Sequence, residues 1–281
     1  LKGGSYGNIN NTERYAYQWT NTLTWKHKFD KHDLNALLGH ELYYTNLSGT
    51  ANAYKLFPTT NFGLNDISMS TPDTWTSSLE ESSLLSFFGR LNYTFNDRYL
   101  FTATMRADGS SKFADGHRWG YFPSAAAAWR ISEENFWKNS SISNIITNLK
   151  LRAGYGTTGN CNIDNYMYNT AYNATVYPIG NQETAALAPS STVGNNNLKW
   201  EKTVSTNIGM DMAFWGGRIN LTVDWYNNKS DDLLMKVAIP TSTGYSSQYQ
   251  NIGSIRNRGL EFAISSTNIS NKNFRWTTDF N

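Results

Sequence analysis

Apolar and polar residues alternate through the segment Ser86–Arg106, which reads SFFGRLNYTFNDRYLFTATMR. The odd positions carry nearly all of the apolar side chains, and the even positions carry polar ones apart from Phe88 and Leu100. The alternation stops at Asn96-Asp97-Arg98 and then resumes. A period of two on both sides of a tight polar turn predicts a β-hairpin with one apolar and one polar face.

The same alternation recurs along the chain and predicts ten strands in all. Seven further strands have apolar positions that share one parity: Tyr15 to Trp25, Leu34 to Tyr44, Leu149 to Tyr155, Val204 to Phe214, Ile219 to Trp225, Leu260 to Ile264 and Phe274 to Phe280. Another strand is predicted near 122–131, although its four alanines also favour a helix. We divide that segment into a strand that ends near Ile131 and a helical turn over Ser132–Trp137, with Ser132 as the N-cap.

The predicted connections alternate in length. In order they cover residues 29–32, 48–83, 96–98, 107–120, 132–148, 157–199, 215–217, 229–256 and 268–272. Successive connections of an up-and-down sheet lie at opposite ends, so the long ones fall together. Short periplasmic turns and long extracellular loops are typical of outer-membrane barrels. Alternating runs of about 10–14 residues also exceed the ~5–6 of soluble strands and suit a tilted bilayer crossing.

The polar face carries charged residues that suit a wet barrel lumen, where a plug or, less readily, a substrate would contact them. These lumen-facing candidates are Arg90, Arg106, Lys150, Arg152, Glu201, Asp211, Asp224 and Glu261. Aromatic residues near strand ends predict interfacial girdles. They are Tyr99, Trp119, Tyr121, Trp129, Trp200, Trp215 and Trp276.

Composition narrows the function further. The 281 residues carry 24 basic and 22 acidic side chains, and a net charge of +2 gives no sign of nucleic-acid binding. Charged residues make up 16% and aromatic residues 15% of the chain, which suits a two-faced β structure. No run approaches 18 apolar residues, so no transmembrane helix is predicted. The chain begins at Leu1 without a signal peptide and ends inside an alternating run, so we expect a fragment of a longer protein.

The search for reactive chemistry predicts no enzyme activity, no cofactor and no metal site. The four histidines do not show metal-binding spacing, and His27 and His32 flank a turn where solvated side chains are expected. Asp108 and Asp115 each precede a glycine, which indicates turns rather than a calcium loop. The single cysteine, Cys161, lies in a loop-like segment and is interpreted as structural.

Binding chemistry is better represented in the long predicted loop that contains Tyr166, Tyr168, Tyr172 and Tyr177 among Asn and Thr residues. Aromatic faces and amides suit sugar recognition, and tyrosine is equally common where a loop packs on a protein partner. A purely structural loop explains the same residues. All three interpretations remain open at the level of sequence.

Several motifs resemble those of SusC-type TonB-dependent transporters. They are RADGSSKF (106–113), RWGYFPSAAAAWRISEENFW (118–137), LKLRAGYGTTGN (149–160), NNNLKWEKTVSTNIGMD (195–211) and NIGSIRNRGLEFAI (251–264). They follow the family's order, although Asn195-Asn196-Asn197 stands where the family often has a proline, which predicts a less rigid entry into the next strand. Residues 1–84 fit by strand pattern alone.

The resemblance implies an outer-membrane barrel of a Gram-negative bacterium that imports oligosaccharides or peptides. It also implies about 22 strands, an N-terminal plug, contact with the TonB complex through regions outside this chain, and a SusD-like lipoprotein lid. Residues 1–281 would form part of the barrel, with lipid around it. The alternatives are a soluble secreted carbohydrate-binding β-sandwich and an outer-membrane adhesin or structural barrel. A sandwich would have to bury the apolar faces inside one domain.

Overall fold

The computed structural model describes residues 5–57, 61, 63–180 and 182–281. Ten strands pair into one large sheet, and five short strands lie in its connections. The strands are β1 (Ser5–Phe29), β2 (His32–Phe57), β3 (Thr71–Phe95), β4 (Tyr99–Ser110), β5 (Trp119–Arg130), β6 (Ile146–Asn160), β7 (Tyr172–Ile179), β8 (Gln182–Pro189), β9 (Thr192–Val193), β10 (Glu201–Phe214), β11 (Ile219–Asp231), β12 (Leu234–Ala238), β13 (Ser247–Asn251), β14 (Ser254–Ser270) and β15 (Arg275–Phe280).

The large sheet is an antiparallel meander in the order β1-β2-β3-β4-β5-β6-β10-β11-β14-β15. Each strand pairs with its sequence neighbours in the sheet, so successive connections lie at opposite ends. The connections before β2, β4, β6, β11 and β15 share one end, which we call the short-turn end. The connections before β3, β5, β10 and β14 share the other, long-loop end, and those before β10 and β14 are the longest, covering residues 161–200 and 232–253. The predicted ten-stranded up-and-down sheet is confirmed, and loop lengths are segregated except that residues 131–145 at the short-turn end form a longer connection than residues 111–118 at the long-loop end.

The first three strands are longer than predicted. A loop was expected over 48–83, but β2 continues to Phe57 and β3 begins at Thr71, and the ladder pairs Ser48 with Leu79. The alternation fades in this stretch, where residues 71–80 of β3 are exposed on both faces while most of residues 48–57 of β2 are half-buried and Ala53 is buried. Backbone hydrogen bonds alone can continue a ladder there. Residues 58–60 and 62 of the predicted loop lie outside the described residues.

One face of the large sheet is apolar from β1 to β15. The register aligns Leu23 with Leu38, and further along it aligns Ile208 with Trp225 and then Leu260. These side chains are exposed, with 64% of Leu38 accessible. No second sheet covers this face in the part of the chain that the structure describes. The soluble sandwich alternative, which requires that the apolar face be buried, is therefore wrong.

Residues 131–145 form the longest connection at the short-turn end. They contain 3₁₀ turns at Ile131–Glu133 and Ser141–Asn144 and the short helix α1 (Asn135–Lys138). Ser132 is not the N-cap, because α1 begins later and Glu134 precedes it without a side-chain capping bond. Ser132 is buried, and its hydroxyl donates to Asn148 Oδ1 at 3.2 Å. The longest helix among the described residues is therefore a single turn, and none could cross a membrane.

Glu134 fixes this connection against the neighbouring strands. Its carboxylate accepts from Arg98 Nη1 at 2.8 Å, from Tyr99 Oη at 2.7 Å and from Trp129 Nε1 at 3.1 Å. Hydrogen bonds from Tyr99 and Trp129, assisted by the Arg98 charge, lower the pKa of Glu134. The sequence alone suggested that this carboxylate is a charge at a helix N-terminus. Its partners instead lie in the 96–98 turn and on β4 and β5, and they could not be recognised from the sequence.

Candidate functional site

Aromatic rings form a continuous ladder on the apolar face at the short-turn end. Neighbouring rings are in contact from Trp25 through His27, Phe29 and His32 to Phe95, with two stacked and two tilted pairs at centroid separations of 4.8 to 5.6 Å. The ladder continues across β4 to the ring of the last tryptophan of β5. The sequence alone suggested that His27 and His32 are solvated side chains, and it did not reveal that both imidazoles belong to the ladder. Both residues share the parity of the apolar positions on β1 and β2, and this parity could have shown which face they occupy.

A second aromatic band crosses the same face nearer the long loops. Trp19 contacts His40, His40 contacts Phe87, and Phe87 stacks on Trp119 at 6.2 Å. The ten residue steps from Trp119 to Trp129 rise about 34 Å along β5, or about 26 Å along the membrane normal at a strand tilt of about 40°. That height matches the ~25 Å apolar band between the girdles of an outer-membrane barrel.

Trp200 was predicted to be a girdle residue, and this is wrong. Its ring packs on Phe113 and Phe122 at 5.6 and 5.4 Å, and its indole N–H donates to the Arg118 carbonyl at 2.8 Å. It therefore belongs to the polar side of the wall and to the loops. Trp200 lies just before β10 begins, and outside a strand the alternation of residues does not indicate which face of the sheet a side chain occupies.

The register places all eight predicted polar-face residues on the same face of the sheet. Four of them form an ion cluster across β6, β10 and β11. Arg152 Nη2 donates to Asp224 Oδ2 at 2.7 Å, Arg152 Nε lies 3.2 Å from Asp211 Oδ2, and Lys150 Nζ lies 3.6 Å from the same oxygen. The cluster balances two positive and two negative charges.

Gly209 makes the longest arm of this cluster possible. It lies directly between Arg152 and Asp224 in the ladder, and a Cβ at this position would contact both side chains. The absent side chain lets the guanidinium reach across β10 to a carboxylate two strands away. Asp224 Oδ1 is buried without a hydrogen-bond partner among the described residues.

Arg106 organises a second polar group nearer the long loops. Its guanidinium donates to Asp108 Oδ1 at 2.8 Å and to Ser86 Oγ at 2.9 Å, and it lies 5.5 Å from the Phe88 ring centroid. Asp108 lies inside β4, so its interpretation as a turn residue is wrong. Asp115 does occupy a turn, beside Gly116 at φ +88°.

The remaining three of the eight polar-face residues form few or no side-chain hydrogen bonds. Glu201 accepts from the Leu234 backbone N–H at 3.3 Å and so joins the wall to a loop. The side chains of Arg90 and Glu261 form no hydrogen bond or ion pair with the described part of the chain. Glu261 lies directly opposite Asp224 in the ladder, so the polar face carries an excess of negative charge at that level.

The long connections converge on a small hydrophobic core. We call residues 111–118, 161–171, 190–200 and 232–253 the loop assembly. Phe113 and Leu198 are fully buried at its centre beside Ile163, and Tyr249 and Leu234 pack around them. Because Phe113 comes from the β4–β5 connection while Ile163 and Leu198 come from opposite ends of the β6–β10 connection, the core joins these loops into one body above the sheet.

Asparagine side chains complete the loop assembly. Asn251 Nδ2 donates to the Lys199 and Asp232 carbonyls at 2.8 and 2.9 Å, and Asn195 Nδ2 donates to the Tyr249 carbonyl at 2.9 Å. The Asn195 carboxamide oxygen also accepts from the backbone N–H of Asn197 at 3.0 Å. An Asx turn therefore shapes the entry where the missing proline predicted less rigidity.

Cys161 packs against this core with its side chain half-buried. Burial raises the pKa of its thiol, which disfavours the reactive thiolate and fits a structural role. Within the described residues no three side chains of His, Cys, Asp or Glu are grouped as metal ligands.

The four predicted binding tyrosines are dispersed. Tyr166 adopts φ +63°, and its hydroxyl accepts from the Glu81 backbone N–H at 3.0 Å. Tyr168 is half-buried, while Tyr172 and Tyr177 lie on the exposed hairpin of β7 and β8. No ring contact joins any two of the four among the described residues, so they do not form one aromatic site.

The geometry defines part of the wall of an outer-membrane β-barrel, with an apolar face between aromatic bands and a charged face opposite. A family model described as "TonB dependent receptor-like, beta-barrel" matches residues 1–281. The chain belongs to this family, whose members are outer-membrane receptors and transporters of Gram-negative bacteria and not enzymes. The predicted family, fold class, localisation and lack of enzyme activity are confirmed.

Among its relatives, the chain is 46% identical over 208 residues to TonB-dependent receptor SusC of Bacteroides thetaiotaomicron, covering 71% of this chain and 20% of that protein. It is 37% identical over 277 residues to TonB-dependent receptor P3 of Formosa agariphila, covering 98% of this chain and 27% of the relative. The structure of the RagAB peptide transporter matches with a TM-score of 0.86 at 28% identity, covering 98% of this chain and 30% of that one. The chain thus spans about a quarter of the length of its curated relatives.

Proposed function

We propose that the intact protein imports oligosaccharides or peptides across the outer membrane in a TonB-dependent manner. The observation that carries this is the ten-stranded wall, whose short turns and structured long loops are segregated at opposite ends. Membership of the TonB-dependent receptor family, together with similarity to SusC and to a peptide transporter, supports an import function for the protein that contains this wall. The adhesin alternative has no comparable support.

We propose that the charged face lines the barrel lumen. An ion cluster with half-exposed side chains is costly against lipid and favourable beside water or a plug. The unpartnered Asp224 Oδ1 and the opposing Glu261 would face that interior. Hydrogen-bond donors of a plug are the simplest partners for both carboxylates.

The long-loop end would face the cell exterior and meet a SusD-like lipoprotein. The exposed β7–β8 hairpin presents Tyr172, Tyr177 and Leu187 there, and these residues suit either a protein partner or a sugar. Contact with the TonB complex would come from other parts of the protein. These partners are inferred from the family rather than from a contact of this chain.

Growth and uptake of the source bacterium test the proposal. A strain that lacks the gene should fail to grow on one class of oligosaccharide or peptide as sole carbon source, and the intact gene should restore growth. Uptake should also stop when a protonophore collapses the proton gradient, because TonB-dependent import needs energy. Uptake that persists under the protonophore, or growth unchanged on every oligosaccharide and peptide, would contradict the proposed importer.

A further inference from the structure

A polar cavity of about 350 Å³ lies within the loop assembly, beside the extended part of β3. Glu80 of β3, Lys112, Asp164, Asn165 and Tyr249 line it. Four connections or strands that are distant in sequence therefore supply its polar groups. Its volume lies at the lower end of the ~300–1,000 Å³ of small-molecule sites, which suits a single ring better than a long chain.

The hydrogen bonds of the lining leave mainly acceptors unused. Asn165 Nδ2 donates to Glu80 Oε2 at 3.1 Å, Tyr249 Oη donates to Asp164 Oδ2 at 3.3 Å, and Lys112 Nζ donates to the Ile163 carbonyl at 2.7 Å. Asn165 Oδ1 is buried and has no partner among the described residues. Because this oxygen is closed to solvent, the acceptors that a ligand could reach are the carboxylate oxygens of Glu80 and Asp164, and a ligand that donates to them would be favoured.

The charges of the lining residues favour some classes of hydrogen-bond-donating ligand over others. Two carboxylates and one ammonium give the cavity a net negative charge, which disfavours an anionic ligand. A cationic ligand would supply donors but would meet the charge of Lys112, which also retains unused N–H groups. Hydroxyl groups both donate and accept, so adjacent hydroxyls can donate to the carboxylates and accept from Lys112 at the same time.

The hydrophobic core holds these groups in place before a ligand arrives. Ile163 and Tyr249 belong both to the cavity and to the core around Phe113 and Leu198. A site on loops that a packed core already orders costs less conformational entropy on binding. Tyr249 and Asn165 had not been singled out in the sequence, because neither belongs to a recognisable motif.

We propose that this cavity binds one hydroxylated ring of a saccharide at the extracellular mouth. This inference rests on the proposed import function and makes it more specific, since it names a glycan rather than a peptide. The predicted tyrosines would then contribute through Tyr166 alone, which ties the adjoining segment to β3.

The test uses the intact purified protein on an array of neutral oligosaccharides built from glucose, galactose, mannose and xylose, with a pentapeptide library beside it. The wild-type protein should bind at least one oligosaccharide, and Asp164→Asn should weaken that binding at least tenfold. Asn165→Ala should weaken it in the same order of magnitude. Glu183→Gln, on the exposed β8 strand, is the matched control and should bind like the wild type.

Several outcomes would overturn the assignment while leaving the importer proposal intact. Wild-type protein that binds no oligosaccharide, peptide binding that depends on Asp164, or oligosaccharide binding that both cavity variants retain would each do so. Circular dichroism and protease resistance of the variants establish that any loss does not come from misfolding. Gene-deletion growth data, which do not depend on this cavity, decide the importer proposal separately.

Discussion

The membrane wall and the loop assembly follow opposite rules for apolar side chains. On the wall, Leu38 and Phe262 are 64% and 52% exposed on the apolar face, while the backbone ladder holds the strands together. In the loop assembly, Phe113 and Leu198 are completely buried. The protein therefore has its compact hydrophobic core in the loops and not in the sheet.

Solvent explains this contrast. The apolar face of an outer-membrane barrel wall faces lipid, where exposed apolar side chains are favourable and every backbone group must be paired in the sheet. The loops face water, where apolar side chains must pack on one another and irregular backbone can be solvated. The same kind of substitution should therefore affect the stability of the wall and of the loop assembly differently. The following experiments use this difference.

Truncating the loop core should have the largest local effect. Leu198→Ala removes a fully buried side chain from between Phe113 and Ile163 and should destabilise the loop assembly by about 2–5 kcal/mol. Hydrogen exchange should accelerate in 161–171 and in β13, while β4 keeps its protection.

Leu187→Ala is the matched control, because Leu187 is 70% exposed on β8. It should leave the exchange of both regions unchanged. Equal acceleration of loops and strands by Leu198→Ala would show that the loop core is not an independent unit.

A charge on the apolar face should break the wall itself. Ala103 lies on that face of β4 midway between the aromatic bands, and Ala103→Arg should cost about 2–4 kcal/mol in a bilayer. Thr104→Arg, one residue along on the polar face, should cost much less. Denaturant titrations of the intact protein in phospholipid vesicles measure both, and equal costs would contradict the assignment of faces.

The sequence was sufficient for the order and the faces of the wall strands, although not for the full length of the first three, because a single alternation governs each strand. The parity of Leu23, Leu38 and Leu91 identifies the apolar face, and the register places these positions on one face across β1 to β3. A bulge between Thr267 and Ile269 illustrates the limit of this reasoning. It brings Ile269 opposite Trp276, and an extra residue of this kind cannot be read from alternation.

The loop assembly could not be predicted in the same way. Phe113, Ile163 and Leu198 lie 35 or more residues apart in the chain, and none lies in a periodic segment. Asn251 and Glu134 likewise act through partners distant in sequence. Composition indicated binding tyrosines in this region, but it could not show that only one of them approaches the cavity.

Adding one methyl group at Gly209 tests whether the ion cluster stabilises the polar face. A Cβ there would displace Asp224 and Arg152 from each other, so Gly209→Ala should cost about 1–2 kcal/mol after allowance for solvent screening. Gly154→Ala is the control on the same face, since its Cβ would lie an ordinary 3.8 Å from Ala126 Cβ. Indistinguishable unfolding midpoints for the two variants would show that the cluster contributes nothing measurable.

Acidification should produce the smallest effect, at the short-turn end. The pKa of Glu134 is lowered in the folded protein, so its contribution to stability is fully present above the ordinary glutamate pKa of about 4.3. That contribution is lost as the pH falls through the lowered folded value, because protonation then removes the charge that Arg98, Tyr99 and Trp129 bind.

Thermal unfolding of the intact protein between pH 7 and pH 3 should therefore show a steeper acid-induced loss of stability for the wild type than for Glu134→Gln. Glu133→Gln is the neighbouring control, since Glu133 is half-exposed and, among the described residues, forms its ion pair with Lys138, at 2.6 Å. Its acid response should match that of the wild type. Parallel curves for the wild type and Glu134→Gln would mean that the aromatic ladder holds the turn without help from this carboxylate.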